Sequence, residues 1–198
     1  MAATDAEVLA TRYEAARRMA AHIRDGTSDL APEAMVNLAS AYTDPERHKR
    51  ERDILFTKTP QVVCLSYELK EPGAYRTFDE AGPPVVVARG KDGTVRAFLN
   101  ICPHRGARLV RQEAGKANRF TCWFHGWTYA NDGRLIAATE ADRFGDCGLE
   151  GRDHLTALAC EERHGIVFVM PTPGLSLNLD AHLADFGPVL EGLRLEAC

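Results

Sequence analysis

The sequence predicts a mainly β fold with N-terminal helices, and three observations lead to this prediction. Short runs of β-branched and aromatic residues recur from residue 60 to residue 169, with turn residues between them. The first 56 residues instead show helical periodicity and helix-capping signals. The chain of 198 residues is 45% hydrophobic and 26% charged, which is typical of a globular protein with its own core. We therefore expect helices followed by an antiparallel sandwich or barrel.

Composition and charge exclude several classes of protein. A formal net charge of -4 and an isoelectric point near 6.0 disfavour binding to nucleic acid. No apolar run approaches the roughly 20 residues that span a bilayer, and the first residues lack the pattern of a signal peptide. Six cysteines are too sparse for a disulfide scaffold, so a reducing compartment and metal ligation fit better. We expect a cytoplasmic protein with no nucleic-acid partner and no membrane association.

Capping signals predict two helices in the N-terminal region. Thr4 and Glu7 form a capping-box pattern at the start of an amphipathic run, which we expect to end at Asp25. Asp44 is the predicted N-cap of a second, charged helix, with a proline at its first position and its end near residue 56. The state of the segment between these helices is left open.

The β region is predicted to contain eight short strands. They are expected at residues 62–65, 75–78, 85–87, 94–99, 119–122, 127–129, 155–158 and 166–169. Lys91-Asp92-Gly93 is a hairpin signal between the third and fourth strands, and Asn131-Asp132-Gly133 marks a turn after the sixth. The C-terminal part returns to loop, with a short helix expected at residues 182–193.

Two loops each contain one cysteine and one histidine. In an extended segment residues i and i+2 project to the same side, so the pair in the first loop can face one ligand. The pair in the second loop is three residues apart and can converge across a turn. Two thiolates and two imidazoles suit either a tetrahedral zinc ion or an iron–sulfur cluster with histidines on one iron. The candidate ligands are Cys102, His104, Cys122 and His125.

The residues around these ligands resemble the Rieske cluster motif. Cys-x-His is followed by Arg-Gly and, after 17 intervening residues, by Cys-x-x-His with Gly-Trp after it. The pattern is most similar to the N-terminal Rieske domain of the α subunits of ring-hydroxylating oxygenases, from about residue 42 to about residue 171. The resemblance implies an antiparallel Rieske-type β sandwich carrying two cluster-binding loops. It also implies a [2Fe–2S] cluster, with both cysteines on one iron and both histidines on the other.

Four positions differ from other proteins with this motif. Trp123 stands where many relatives have proline after the second cysteine. Ala107 and Phe124 occupy the positions of an additional cysteine pair that forms a disulfide in the cytochrome-complex branch. In that high-potential branch a serine follows the second His-Gly, and here the position is Trp127. The loss of a hydroxyl donor predicts a reduction potential at the low end of the Rieske range.

The resemblance divides the chain into three parts. Residues 1–56 form an N-terminal helical extension, residues 57–173 the Rieske domain, and residues 174–198 a tail or the start of a missing catalytic domain. In full-length α subunits that domain holds a mononuclear iron with two histidines and a carboxylate. The later histidines here, His154, His164 and His182, do not have that spacing. The chain therefore has no evident mononuclear iron site.

The implied function is one-electron transfer in an aromatic-ring-hydroxylating oxygenase system. The donor would be a ferredoxin or reductase and the acceptor the mononuclear iron of an oxygenase catalytic domain, which makes the chain a component of a Rieske non-haem iron oxygenase. An oligomeric assembly is compatible with the resemblance. Two alternatives stay open: a zinc-stabilised binding module without redox activity, and a cluster-bearing accessory subunit that does not relay electrons.

A cluster of basic residues near the first loop suggests how a donor would dock. Five cations lie within fifteen residues of a chain that is acidic overall, opposed in the sequence by Glu113. Such a patch would steer an acidic donor and make its association dependent on salt. The cations are Arg105, Arg108, Arg111, Lys116 and Arg119.

Overall fold

The computed structural model describes residues 4–80, 82–139, 149 and 151–197. The N-terminal region is helical, as predicted: Thr4 and Glu7 form the expected capping box, and Asp44 caps the later helix by accepting from the Glu46 amide. The last turn of that region is a π-helix. The helices are α1 (Asp5–Asp25), α2 (Ser40–Thr43), α3 (Pro45–Glu51) and the π-helical turn Arg52–Phe56.

Eleven strands lie in the described part of the chain and form three antiparallel sheets. They are β1 (Gln61–Leu65), β2 (Ala74–Phe78), β3 (Val85–Arg89), β4 (Val95–Leu99), β5 (Ala114–Lys116), β6 (Arg119–Thr121), β7 (Thr128–Ala130), β8 (Leu135–Ala137), β9 (Ala157–Leu158), β10 (Cys160–Arg163) and β11 (Ile166–Val169). The strand orders are β5-β2-β3-β4-β9, β1-β11-β10 and β6-β7-β8. The mainly β, antiparallel fold predicted from the sequence is confirmed.

The five-stranded sheet is the central layer, and β3 explains why. Successive side chains of a strand point to opposite faces. Val85 and Val87 pack into a core shared with β1 and β11, whereas Val86 and Ala88 pack into a second core on the other face. All four side chains are fully buried. A continuous apolar run, rather than an alternating one, is therefore what this strand requires.

The two cores have different surroundings. The core shared with β1 and β11 is enclosed between two sheets, so these sheets form the sandwich. The other core includes Phe98, Phe120 and Tyr129 and lies beneath the loops that carry the predicted ligands. Beyond the second sheet, Ile166 and Phe168 of β11 pack against the C-terminal helices.

Several element boundaries differ from the prediction. The strands β5, β8 and β10 were not predicted, because β5 and β8 have three residues each and β10 is Cys-Glu-Glu-Arg, so none has an apolar alternation. The expected strand at 155–158 is reduced to β9. The expected helix at 182–193 begins earlier and is interrupted: α4 spans Leu179–Leu183 and α5 spans Gly187–Leu193.

The interruption of the C-terminal helix has a local cause. Pro188 has no amide hydrogen and favours the first turn of a helix, so a new helix starts there after the 3₁₀ turn Ala184–Phe186. Asn178 caps α4 by accepting from the Ala181 amide at 3.0 Å. Further 3₁₀ turns lie at Ser66–Leu69 and Leu195–Ala197. None of the described helices is both long and apolar enough to span a bilayer.

Candidate metal centre

The first loop leaves the end of β4 and reverses within a few residues. The Cys102 amide donates to the Ala107 carbonyl at 2.7 Å, and the Gly106 amide donates to the Cys102 carbonyl at 2.9 Å. Gly106 has φ +74°, a left-handed conformation that favours glycine. An added Cβ there would meet no protein atom within 4 Å, so the backbone angle is the constraint on this residue.

The second loop joins β6 to β7 and repeats the same hydrogen bonds. The Cys122 amide donates to the Trp127 carbonyl at 2.7 Å, and the Gly126 amide donates to the Cys122 carbonyl at 2.9 Å. Gly126 has φ +71°. The two loops therefore have equivalent backbone turns although one holds Cys-x-His and the other Cys-x-x-His.

The two cysteines lie side by side at the bottom of the loops. Cys102 is 1% exposed and Cys122 is 3% exposed, and both belong to the same buried core cluster beneath the loops. The Tyr129 hydroxyl lies 3.8 Å from the Cys102 sulfur. Burial raises the pKa of the Cys102 thiol, and proximity to Cys122 adds to this, against hydrogen bonds from the His104 amide and Tyr129 that lower it. Two neighbouring buried thiols are costly as thiolates unless a cation compensates them.

The two histidines lie next to each other above the cysteines. The ring centroids of His104 and His125 are 4.8 Å apart, with planes inclined at 69°. Desolvation lowers the pKa of His104, and the neighbouring His125 lowers it further, which favours the neutral imidazole that metal ligation requires. His125 Nδ1 is buried and has no hydrogen-bond partner among the described residues. A buried ring nitrogen of this kind can accept a metal.

Aromatic rings surround the imidazoles. Trp127 is fully buried and stacks on His104, with ring centroids 4.6 Å apart and planes 4° from parallel. Phe124 contacts His125 at a centroid separation of 3.9 Å and remains half exposed. The inner wall of the site is therefore dry, and its outer rim is aromatic and open to solvent.

The basic patch predicted from the sequence is smaller than expected. Arg108 forms an ion pair with Asp79, and Lys116 forms one with Glu71. Glu113, which the sequence placed against the patch, pairs with Arg76 instead. These acidic partners come from β2 and its flanking loops, so the linear sequence does not reveal them. Of the five cations in the patch, three form no ion pair with an acidic side chain of the described residues, namely Arg105, Arg111 and Arg119.

Sequence reasoning missed two contacts that hold the loops. The Asn100 side chain, which is 0% exposed, bonds both backbone groups of Val110. The Trp123 indole N–H donates to the Arg108 carbonyl at 3.2 Å and links the second loop to the first. A polar residue that continues an apolar strand immediately before the first loop was an available signal for Asn100. Nothing in the sequence indicates which carbonyl Trp123 would contact.

The donor set fits a two-iron cluster. Within the described ranges, no three His, Cys, Asp or Glu side chains are grouped so as to hold one metal ion. A Rieske cluster takes two cysteines on one iron and two histidines on the other. The thiol pair and the imidazole pair match that requirement.

Comparison with known proteins finds oxygenase subunits among the relatives of this chain. The carnitine monooxygenase oxygenase subunit of Escherichia coli strain K12 is 32% identical over 169 residues, covering 84% of this chain and 43% of that protein. The chlorobenzene dioxygenase subunit alpha of a Cupriavidus species, strain PS12, is 39% identical over 104 residues, covering 52% of this chain and 23% of that protein. The chain spans less than half the length of these relatives.

Solved structures agree with the sequence comparison. The quaternary ammonium Rieske monooxygenase CntA, in complex with L-carnitine, superposes with a TM-score of 0.71 at 32% identity, covering 79% of this chain and 45% of that one. A naphthalene 1,2-dioxygenase superposes with a TM-score of 0.64 at 31% identity, covering 71% of this chain and 32% of that one.

The family profile of the Rieske [2Fe–2S] domain matches residues 59–159, just over half of the chain. The chain therefore belongs to the Rieske [2Fe–2S] domain family, with α subunits of Rieske oxygenases as its relatives. Its cofactor is a Rieske-type [2Fe–2S] cluster. This assignment confirms the resemblance identified in the sequence and favours the cluster over the zinc alternative.

Proposed function

We propose that the chain relays single electrons through a Rieske cluster within an oxygenase system. In this proposal Cys102 and Cys122 bind one iron, and His104 and His125 bind the other. The observation that carries it is the pairing of two neighbouring, buried thiols with two adjacent imidazoles in loops of equivalent backbone geometry. When bound, the cluster supplies reversible one-electron redox chemistry.

The chain's own residues control access to the site. Trp127 and the core beneath the loops exclude water from the thiols, while the half-exposed Phe124 borders the imidazoles. The exposed side of the site is therefore the histidine side, and electrons would enter and leave there. The Tyr129 hydroxyl can donate to the Cys102 sulfur and stabilise added negative charge.

The proposed donor is a ferredoxin or reductase, and the proposed acceptor is a mononuclear iron in an oxygenase catalytic domain. One relative's structure is described in terms of inter-subunit electron transfer, which supports an acceptor on another subunit and an oligomeric assembly. The relatives' names include both carnitine and aromatic compounds. The aromatic substrate expected from the sequence is thus one of the substrate classes that the names of these relatives contain. The division at residues 56 and 173 and a cytoplasmic location stay predictions.

A redox titration followed by a transfer experiment tests the relay. The purified protein should take up one electron per chain reversibly, with bleaching of a visible iron–sulfur band, and a zinc module would take up none. The reduced protein is then mixed, without oxygen, with a Rieske oxygenase subunit whose own cluster has been removed by ligand substitution and whose mononuclear iron has first been oxidised to the ferric state, so that this iron can accept one electron. Reoxidation within the catalytic turnover time supports the relay. A cluster that reduces normally but never passes its electron on would indicate the accessory-subunit alternative.

A further inference from the structure

The two cluster loops are closed at their bases in different ways. The second loop is closed by a β ladder, in which Thr121 pairs with Thr128 and the ladder continues into β6 and β7. The first loop has an isolated bridge between Ile101 and Arg108, with no ladder below it. The two loops therefore have equivalent turns, but backbone pairing continues below the second loop and stops below the first.

Strand topology explains why the first loop has no ladder. Its incoming strand, β4, pairs with β3 and β9. The chain that leaves the loop runs to β5, which pairs with β2 at the edge of the same sheet. The two ends of the loop thus diverge directly below the bridge, and backbone groups at the base need other partners.

The side chain of Asn100 provides these partners. Its amide nitrogen donates to the Val110 carbonyl at 2.7 Å, and its amide oxygen accepts from the Val110 amide at 2.7 Å. The backbone of Asn100 also takes part, since its amide donates to the Pro84 carbonyl at 2.8 Å and its carbonyl accepts from the Leu109 amide. One residue therefore reproduces the paired hydrogen bonds of a ladder rung.

We infer that Asn100 is a positioning residue for the cluster. Cys102 and His104 follow it by two and four residues, so the position of both depends on where Val110 and Asn100 are held. The inference rests on the proposed ligand set. It goes further by assigning the alignment of the first ligand pair against the second to a side chain whose two hydrogen bonds both go to the Val110 backbone and not to a proposed ligand.

Few side chains can replace this amide. A carboxylate of the same shape accepts from the Val110 amide but cannot donate to the carbonyl, and a leucine does neither. Because the position is 0% exposed, water cannot substitute for the missing bond. The Val110 carbonyl also accepts from Arg108 Nε at 3.1 Å, and that single contact remains in such variants.

The chain offers a matched control in Asn131. Asn131 lies in the turn between β7 and β8 and is also a buried asparagine, 5% exposed. Its side-chain amide donates to the Arg89 carbonyl of β3 at 3.2 Å. Asn131→Asp removes a buried hydrogen-bond donor, at a comparable cost in the free energy of unfolding. It leaves the hydrogen bonds that close the two cluster loops unchanged. It separates positioning of the cluster from general destabilisation.

The test compares Asn100→Asp and Asn100→Leu with Asn131→Asp in the cluster-containing protein. The measurements are the rate of cluster loss to a chelator and the EPR g-values of the reduced cluster. We expect Asn100→Asp to lose the cluster about tenfold faster and to shift the g-values, with a larger effect in Asn100→Leu. Asn131→Asp should retain the wild-type g-values. Wild-type behaviour in Asn100→Asp, or an equal change in Asn131→Asp, would overturn the inference.

A measurement on the unsubstituted protein covers the case in which the Asn100 variants fail to fold. The hydrogen bonds between the Asn100 side chain and the Val110 backbone form what we call the Asn100 clamp. The Val110 amide should exchange with solvent as slowly as the Cys122 amide in the cluster-containing protein, and rapid exchange would contradict this clamp. None of these readouts involves a protein electron donor or acceptor, because the cluster is reduced chemically for EPR. Failure of the proposed relay would therefore leave them unchanged, and failure of the clamp would leave the relay intact.

Discussion

The imidazole of His104 lies parallel to the indole of Trp127, with ring centroids 4.6 Å apart and planes differing by 4°. Trp127 is 0% exposed and belongs to the core that contains both cysteines. A ring that is fixed by the core therefore sets the plane of a proposed ligand. The same indole occupies the position next to Gly126 where a smaller residue would leave the imidazole free to turn.

Replacement of Trp127 tests this relationship, and the chain's other tryptophan is its control. Trp127→Ala should lower the free energy of unfolding by about 3–5 kcal/mol, because it leaves a large cavity, and should accelerate cluster loss. Trp123→Ala, at a side chain that is 61% exposed, should cost about 1 kcal/mol from its hydrogen bond and its contact with Arg111. Denaturant unfolding of both variants gives the comparison, and equal losses would contradict it.

The reduction potential should lie near the low end of the Rieske range, about -150 mV rather than about +300 mV. Trp127 stands where a hydroxyl donor would otherwise stabilise the reduced cluster, so Trp127→Ser should raise the potential. Tyr129 still provides one hydroxyl, 3.8 Å from the Cys102 sulfur. Tyr129→Phe should lower the potential by about 60 mV, a tenfold change for a one-electron couple. Voltammetry that shows a clearly positive wild-type potential would contradict the role assigned to Trp127.

The ion pair between Arg89 and Glu162 should make stability depend on pH. The hydrogen-bonded Arg89 lowers the pKa of Glu162 below its ordinary value of 4.5, although partial burial acts in the opposite direction. Since the folded-state pKa is lowered, the stabilisation is present above pH 4.5 and is lost as the pH falls through the folded-state value. Glu162→Gln should therefore cost about 1 kcal/mol at pH 7 and progressively less as the pH falls below 4.5.

A matched substitution separates this pair from a general effect of charge. Glu113 also pairs with an arginine, but its side chain is 77% exposed. Glu113→Gln should change the unfolding free energy by less than about 0.5 kcal/mol at either pH. Thermal unfolding of the two variants against pH is the measurement. A cost for Glu162→Gln that does not vary with pH would show that the pair contributes through packing alone.

The unpaired cations beside the first loop should steer an acidic electron donor. Arg105 and Arg111 have no acidic partner among the described residues, whereas Lys116 pairs with Glu71. Arg105→Gln or Arg111→Gln should slow reduction by an acidic [2Fe–2S] ferredoxin severalfold at low salt, and Lys116→Gln should have less effect. Stopped-flow rates that are independent of ionic strength would exclude this docking face.

Much of the fold could be predicted because its signals are local. The capping box at Thr4, the N-cap at Asp44 and the Asp92-Gly93 turn each depend on residues a few positions apart, and all three were predicted correctly. The apolar run of β3 likewise indicated a strand, and the structure adds that this strand is buried on both faces. The two loops were recognisable because the ligand types and the glycines recur at a fixed spacing.

The rest depends on contacts between distant segments. Edge strands such as β5 and β10 form because neighbouring strands offer unpaired backbone groups, and their own residues have no β pattern. Arg108 pairs with Asp79 across 29 positions, and Trp123 reaches the Arg108 carbonyl across 15. The Asn100 clamp requires knowing that the two ends of its loop diverge, which is a property of the sheet order.

The ligand assignment is tested most directly by the iron and sulfide content of four variants. The unsubstituted protein should contain two irons and two sulfides per chain, as a [2Fe–2S] cluster requires. Cys122→Ser and His125→Ala should lose both, because each removes a proposed ligand, while the matched controls Cys160→Ser and His154→Ala should retain them. Full iron and sulfide content in Cys122→Ser or His125→Ala would contradict the account.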